Sequence, residues 1–200
     1  MTRSLPASTP SAPTSLSRHW IFGYGSLVHV EDLGGFLAGH GRDLETYTYA
    51  TLRGFRRSWS VAMDNTQTKS GYKYYLDIAT GERPPYVAFA NIEPDDAAHT
   101  HGILFEADEH MLEILDARER NYHRTDVTAR VTADIDGTVW TYIGTAEAKK
   151  RYEHALRTNA LVLDKVYVDL ITSAFARARL DSSVEIPDGV ALVKLARFET

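Results

Sequence analysis

Two places in this sequence carry residue types suited to chemistry. One is the run Phe22-Gly23-Tyr24-Gly25-Ser26-Leu27, and the other is Glu119. In the run, two glycines flank a tyrosine and a serine follows. Glycine lets a ligand approach the main chain closely. Successive N–H groups in such a turn can face one concavity and hold an anion such as a carboxylate. The hydroxyls of Tyr24 and Ser26 would then stand at its rim. A dinucleotide fingerprint would need glycine where Val28 stands, and a phosphate loop would end in Gly-Lys-Ser/Thr. A nucleophile elbow would need glycines in place of Tyr24 and Val28, so Ser26 is a poor nucleophile. The plain alternative is a glycine turn that closes a strand and does no chemistry.

Glu119 draws notice through its neighbours. Asp108 can cap a helix that starts at Glu109 and runs to about Asn121. At about 100° per residue, Met111, Leu112, Leu115 and Tyr122 share one apolar arc, and Glu119 falls inside it. A carboxylate facing a core is costly unless it is paired or hydrogen-bonded. One positioned in partly apolar surroundings suits general-base work. Two readings stay open: a catalytic base, or a structural glutamate satisfied by an arginine or tyrosine.

The elements that must position these residues follow from the rest of the chain. The run Trp20-Ile21 enters the glycine turn as a buried strand, so the globular part is expected to start near His19. Residues 31–41 suit a short helix with a loop. Residues 47–63 read as one or two strands. Their Arg53, Arg56 and Arg57 suit a solvated face, or one could pair with a buried carboxylate. Residues 64–85 form a long excursion whose aromatics suit a packed lid, with a short strand or a packed loop over 71–76. Strands are expected over 86–92 and 101–106, with Pro94-Asp95-Asp96 breaking the chain between them. His99 and His101 would share a strand face. No third ligand is evident beside them, so no metal site is expected. Residues 125–134 and 138–143 are expected to form a hairpin turning at Asp136-Gly137. Helices are expected over 146–156 and 164–179, the second with Tyr167, Leu170, Ile171, Ala174 and Ala178 on one face. Residues 184–198 are expected to pack on the domain.

Composition narrows the function classes. The chain has 200 residues, 44% of them hydrophobic and 24% charged, which suits one soluble globular domain plus a tail. Residues 1–18 are rich in Ser, Thr, Pro and Ala, and are expected to form a disordered tail before a domain over 19–200. There are no cysteines, which excludes disulfides and thiolate catalysis and fits a cytoplasmic setting. A net charge of −5 argues against a nucleic-acid partner. No apolar run approaches the ~20 residues of a membrane span. Strands dominate early and helices late, so an α+β fold with a closed or highly curved sheet is expected.

The pairing of Phe22-Gly23-Tyr24-Gly25-Ser26-Leu27 with a later helix carrying Leu115-Asp116-Ala117-Arg118-Glu119 resembles the γ-glutamylcyclotransferase-like family, which includes the AIG2-like and ChaC-like proteins. Asn121-Tyr122-His123-Arg124 and Val166-Tyr167-Val168-Asp169-Leu170 extend the likeness over roughly residues 19–179. The resemblance implies a small mixed β-barrel with surrounding helices. It also implies an enzyme, a cyclising acyltransferase or lyase, that turns a γ-glutamyl amide into 5-oxoproline and a free amine. Glu119 would be the general acid/base. Tyr24, Gly25, Ser26, Leu27, Tyr122 and Tyr167 would bind a small-molecule γ-glutamyl substrate, with no metal and no cofactor. A non-catalytic AIG2-like ligand-binding or interaction module is the competing expectation. Excursion 64–85 is absent from the smallest members and leaves the substrate open.

Overall fold

The structure is a computed structural model that describes residues 18–181 and 184–199. The expected tail therefore lies outside the described residues, except for Arg18. Arg18 already belongs to the fold: its guanidinium pairs with Glu106 at 2.9 Å, and its carbonyl accepts from the Thr138 N–H at 2.9 Å.

Among the described residues, nine strands and four α-helices follow in order: β1 His19–Gly23, α1 Val30–Ala38, β2 Tyr47–Asp64, β3 Lys73–Asp77, β4 Tyr86–Ala107, α2 Glu109–Arg118, β5 Tyr122–Asp126, β6 Thr138–Gly144, α3 Ala146–Arg157, β7 Leu161–Asp164, α4 Lys165–Arg177, β8 Ala191–Val193 and β9 Leu195–Glu199. Six strands run β5-β6-β1-β4-β7-β8 across one mixed sheet, and β2 also pairs with β4. Strand β1 is antiparallel to β4 and parallel to β6. The bridge between Leu52 and Val131 joins β2 to the segment after β5, so the sheet curls back toward its own edge. This is the mixed α+β fold expected from the sequence, with a large curved sheet and helices around it.

Alternation along β1 explains why the run before the glycine turn is so apolar. Ile21 packs with Leu33, Leu37, Phe105 and Leu115, beneath α1 and α2. Phe22, the next residue, points to the other face and packs with Leu52, Leu104, Leu163 and Phe175. Both side chains are fully buried, as are Leu104 and Phe105 on the neighbouring strand. A strand buried on both faces needs a continuous apolar run, not an alternating one.

Several local expectations are corrected. Pro94-Asp95-Asp96 does not break the strand. β4 is continuous through it, and the register against β2 shifts between Arg53 and Phe55, where Gly54 takes φ +77°. The irregularity absorbs a proline that has no N–H to give the ladder. The segment after Asp126 is not a long strand: it forms a 3₁₀ turn over Thr128–Arg130 before reaching Val131. The β5–β6 connection is therefore longer than a tight Asp136-Gly137 hairpin. Helix α2 ends at Arg118, a turn sooner than expected. There the Asn121 carbonyl accepts from Thr145 N, its side chain accepts from Arg151, and Tyr122 is drawn into the ladder opposite Gly144. Tertiary pairing overrides the helical periodicity.

Excursion 64–85 is held down at both ends. β3 pairs with β9, the last described strand, in a separate two-stranded sheet. Asn65 is fully buried, and its amide donates to the carbonyls of Tyr75 and Pro84 and accepts from Tyr75 N–H at 2.8 Å. Arg83 donates to the carbonyls of Asn65 and Gln67. Replacing Asn65 by Ala leaves these buried backbone groups without partners, at a cost of about 1–3 kcal/mol. Urea unfolding of Asn65→Ala should show a loss in that range. A change within ~0.5 kcal/mol would show that the excursion is held by other contacts.

Candidate active site

Gly23 ends β1 and the chain turns at once into a 3₁₀ turn over Ser26–Val28. A Cβ on Gly23 would stand 2.6 Å from Leu27 Cβ, so the turn closes only over a glycine. The N–H groups of Val28 and His29 are taken by the carbonyls of Gly25 and Ser26. The leading N–H groups of such a turn have no partner within it. Gly25 lies under Tyr167: a Cβ there would be 3.2 Å from the tyrosine oxygen and 3.5 Å from Ala90 Cβ.

Glu119 caps α2, with its N–H donating to Leu115 O at 2.9 Å. Its side chain is 16% exposed and ion-paired to Arg118 Nε at 3.2 Å. The Arg118 guanidinium also donates from Nη2 to Ser26 Oγ at 3.2 Å, and its carbon lies 4.6 Å from the Phe36 ring centre. Its third nitrogen, Nη1, is buried without a hydrogen-bond partner among the described residues. The arginine partner foreseen for a structural glutamate is thus present, but the carboxylate also borders a cavity.

A recess of about 30 Å³ is lined by Tyr24, Gly25, Ser26, Leu27, Glu119, Tyr122 and Tyr167, among others. It meets a larger cavity of about 720 Å³, which shares Ser26, Glu119, Tyr122 and Tyr167 with it. All seven site residues singled out from the sequence therefore border one connected space. Not all of them present the atoms expected. The Tyr24 hydroxyl is not at a rim: it donates to the Tyr142 carbonyl at 2.5 Å inside the core. The Leu27 side chain is buried with Ile21 and Leu33. The Tyr122 hydroxyl donates to Ala90 O at 2.7 Å. Tyr167 lies edge-on to Phe89 at 5.1 Å and to Trp59 at 6.0 Å. Burial pushes the phenols of Tyr24, Tyr122 and Tyr167 above their ordinary range, and the Glu119 charge adds to that push. They stay neutral donors at physiological pH.

The larger cavity also takes in residues that sequence reading missed. Lys73 and Tyr75 come from β3, Arg118 and Arg120 from the end of α2, and Arg197 from β9. The pairing of β3 with β9 is what brings them together, and no periodicity announces it. Arg57 was missed differently. It is half-buried: it stacks 4.3 Å from Phe175 and donates to the Tyr24 carbonyl at 3.3 Å, holding the loop from behind, and the Asp181 carboxylate acts on it as an opposite charge. His99 and His101 do lie together, with ring centres 5.2 Å apart, and His101 meets Thr51 Oγ1 at 3.1 Å. Among the described residues no group of three or more His, Cys, Asp and Glu could hold a metal ion. No helix among them is long and apolar enough to cross a membrane.

Residues 21–159 match the model of the family described as gamma-glutamyl cyclotransferase, AIG2-like. The chain belongs to this family. Tyr167 and Arg197 lie beyond the matched stretch. The fold is shared with a solved structure titled gamma-glutamyl cyclotransferase, at 13% identity and a TM-score of 0.51, over 86% of this chain and 90% of that one. It is shared also with an uncharacterized protein from Homo sapiens, at 14% identity and a TM-score of 0.53, over 90% and 95% of the two chains. No curated protein matches the sequence.

The space over Gly25 yields a test. The methyls of a valine would fill the recess between Tyr167 and Ala90, while the core beneath β1 is left intact. Gly25→Val is expected to weaken binding of glutamate or 5-oxoproline at least about tenfold, or ~1.4 kcal/mol. Calorimetry on the folded fraction, against a wild type shown to bind, makes the measurement. An unchanged dissociation constant would remove the loop from ligand binding.

Proposed function

We propose that this chain is a γ-glutamyl cyclotransferase that converts a γ-glutamyl amide to 5-oxoproline and a free amine. The observation that carries the reading is the placement of the half-buried Glu119 carboxylate on the recess formed by the Phe22–Leu27 loop. Family membership and the shared fold support it.

Each part of the site has a task in that reaction. The leading N–H groups of the Ser26 turn hold the substrate's α-carboxylate, which is not a reacting group. Tyr122 and Tyr167 close the recess with neutral phenols and ring faces. Confined there, the glutamyl chain curls, and its α-nitrogen is brought toward its own γ-carbonyl. Well-oriented intramolecular attack reaches effective molarities of about 10⁵–10⁸ M, so most of the work is positional. Glu119 accepts a proton from the α-amino group as its nitrogen bonds to the γ-carbon. The bond from that carbon to the amine then breaks, and Glu119 returns the proton to the leaving nitrogen. No water is consumed.

Glu119→Gln keeps the shape of the side chain and removes the proton acceptor. The expected outcome is a loss of at least about a hundredfold in kcat, read as 5-oxoproline release from γ-glutamyl dipeptides. Turnover near wild type in the purified, folded variant would contradict the role given to Glu119.

A further inference from the structure

Helix α2 ends at Arg118, so Glu119 stands where helical hydrogen bonding no longer fixes the chain. Its own backbone has left the helix, at φ −90° and ψ 49°. A side chain that moves a proton must still be held to within about 0.5 Å of its working place. A tie from the sheet to this end of α2 would supply that fixed reference.

Tyr142 on β6 makes such a tie. It is 4% exposed and packs in the cluster of Ile21, Leu27 and Leu115. Its hydroxyl donates at 2.8 Å to Asp116 Oδ1, in the last turn of α2 and three residues before Glu119. Its carbonyl accepts from the Tyr24 hydroxyl at 2.5 Å. One residue therefore holds both halves of the site, the glycine loop through its main chain and the helix end through its side chain. Arg124 on β5 reaches the other Asp116 oxygen at 3.6 Å, and its guanidinium lies 5.1 Å from the centre of the Trp140 ring. Asp116 thus joins α2 to two neighbouring strands. An O–H donated to a carboxylate makes a shorter and stronger bond than one between neutral groups. Burial, and then the Asp116 carboxylate, hold the Tyr142 phenol above its ordinary range, so it stays the donor.

We propose that Tyr142 is a positioning residue for the cyclisation: through Asp116 its hydroxyl sets the Glu119 carboxylate against the recess. This rests on the cyclotransferase reading. In that reaction Glu119 takes a proton from the α-nitrogen and returns it to the leaving nitrogen, so a displaced carboxylate impairs the return of the proton. A tie that served only packing would leave this step untouched.

Tyr142→Phe keeps the ring and the carbonyl that Tyr24 uses, and removes only the oxygen that reaches Asp116. The test compares γ-glutamyl-alanine, whose leaving nitrogen must be protonated, with γ-glutamyl-p-nitroanilide, whose weakly basic amine depends far less on a returned proton. In Tyr142→Phe the ratio of kcat/KM, alanine compound over anilide, is expected to fall at least about tenfold. A misplacement of ~1 Å can cost about a hundredfold. Asp116→Ala should lower the ratio similarly, and the two changes together should lower it no further than either alone, because they break one bond. A ratio of specificity constants does not depend on the fraction folded, so lost stability does not imitate the effect. An unchanged ratio in Tyr142→Phe, or losses that multiply in the double variant, would overturn the proposal. If wild type yields 5-oxoproline from neither compound, the cyclotransferase reading falls. In that case, or if only one compound is used, crystal structures of wild type and Tyr142→Phe decide the positioning role. A Glu119 carboxylate displaced by more than about 0.5 Å upholds it, and an unmoved one removes it.

Discussion

The Arg118 guanidinium lies between Ser26 and Glu119 with Phe36 against its face. Through it, the loop after β1 and the end of α2 hold a fixed separation. Both side chains are largely withdrawn from water, 23% exposed for Arg118 and 16% for Glu119, so the pair is screened less than an ion pair on the surface. If the arginine were lost, the carboxylate would border the recess without its partner, and the Ser26 hydroxyl would lose the donor that orients it. The rest of the fold serves to bring these three residues to one place.

The curved sheet does this by burying β1 on both faces. Ile21 anchors α1 and α2 on one side and Phe22 anchors the interior and α4 on the other, so the loop that follows starts from a rigid base. Arg57 steadies the same loop from behind through the Tyr24 carbonyl. On the far side, β3 and β9 close over the cavity as a separate ribbon. Asp164 ties that ribbon to α4: its carboxylate caps the helix at Val166 N and accepts from Leu195 N. Recess and lid are thus built from parts of the chain that are distant in sequence.

How much of this was legible in the sequence depended on the range of the forces involved. The glycine loop, the Asp108 cap and the amphipathic helices follow from local chemistry and appear where expected. Glu119 was singled out by a helical wheel, yet it lies just past the helix end, and Tyr122 belongs to β5. The wheel picked residues that do border the recess, but on a wrong geometry, because the β5–β6 ladder ends the helix early. The Tyr24 hydroxyl was expected outside and is turned inside, where the Tyr142 carbonyl needs a donor. Lys73 and Arg197 were invisible as site residues, since only the pairing of two short strands far apart in the chain brings them together.

The central claim is an intramolecular transfer within the recess, not a hydrolysis. Its most direct test runs a γ-glutamyl dipeptide with the wild-type chain in water enriched in heavy oxygen and analyses the products by mass spectrometry. The account predicts 5-oxoproline free of the heavy isotope, released in equal amount with the amine and without free glutamate. Glutamate carrying the heavy isotope, or no release of amine at all, would contradict it.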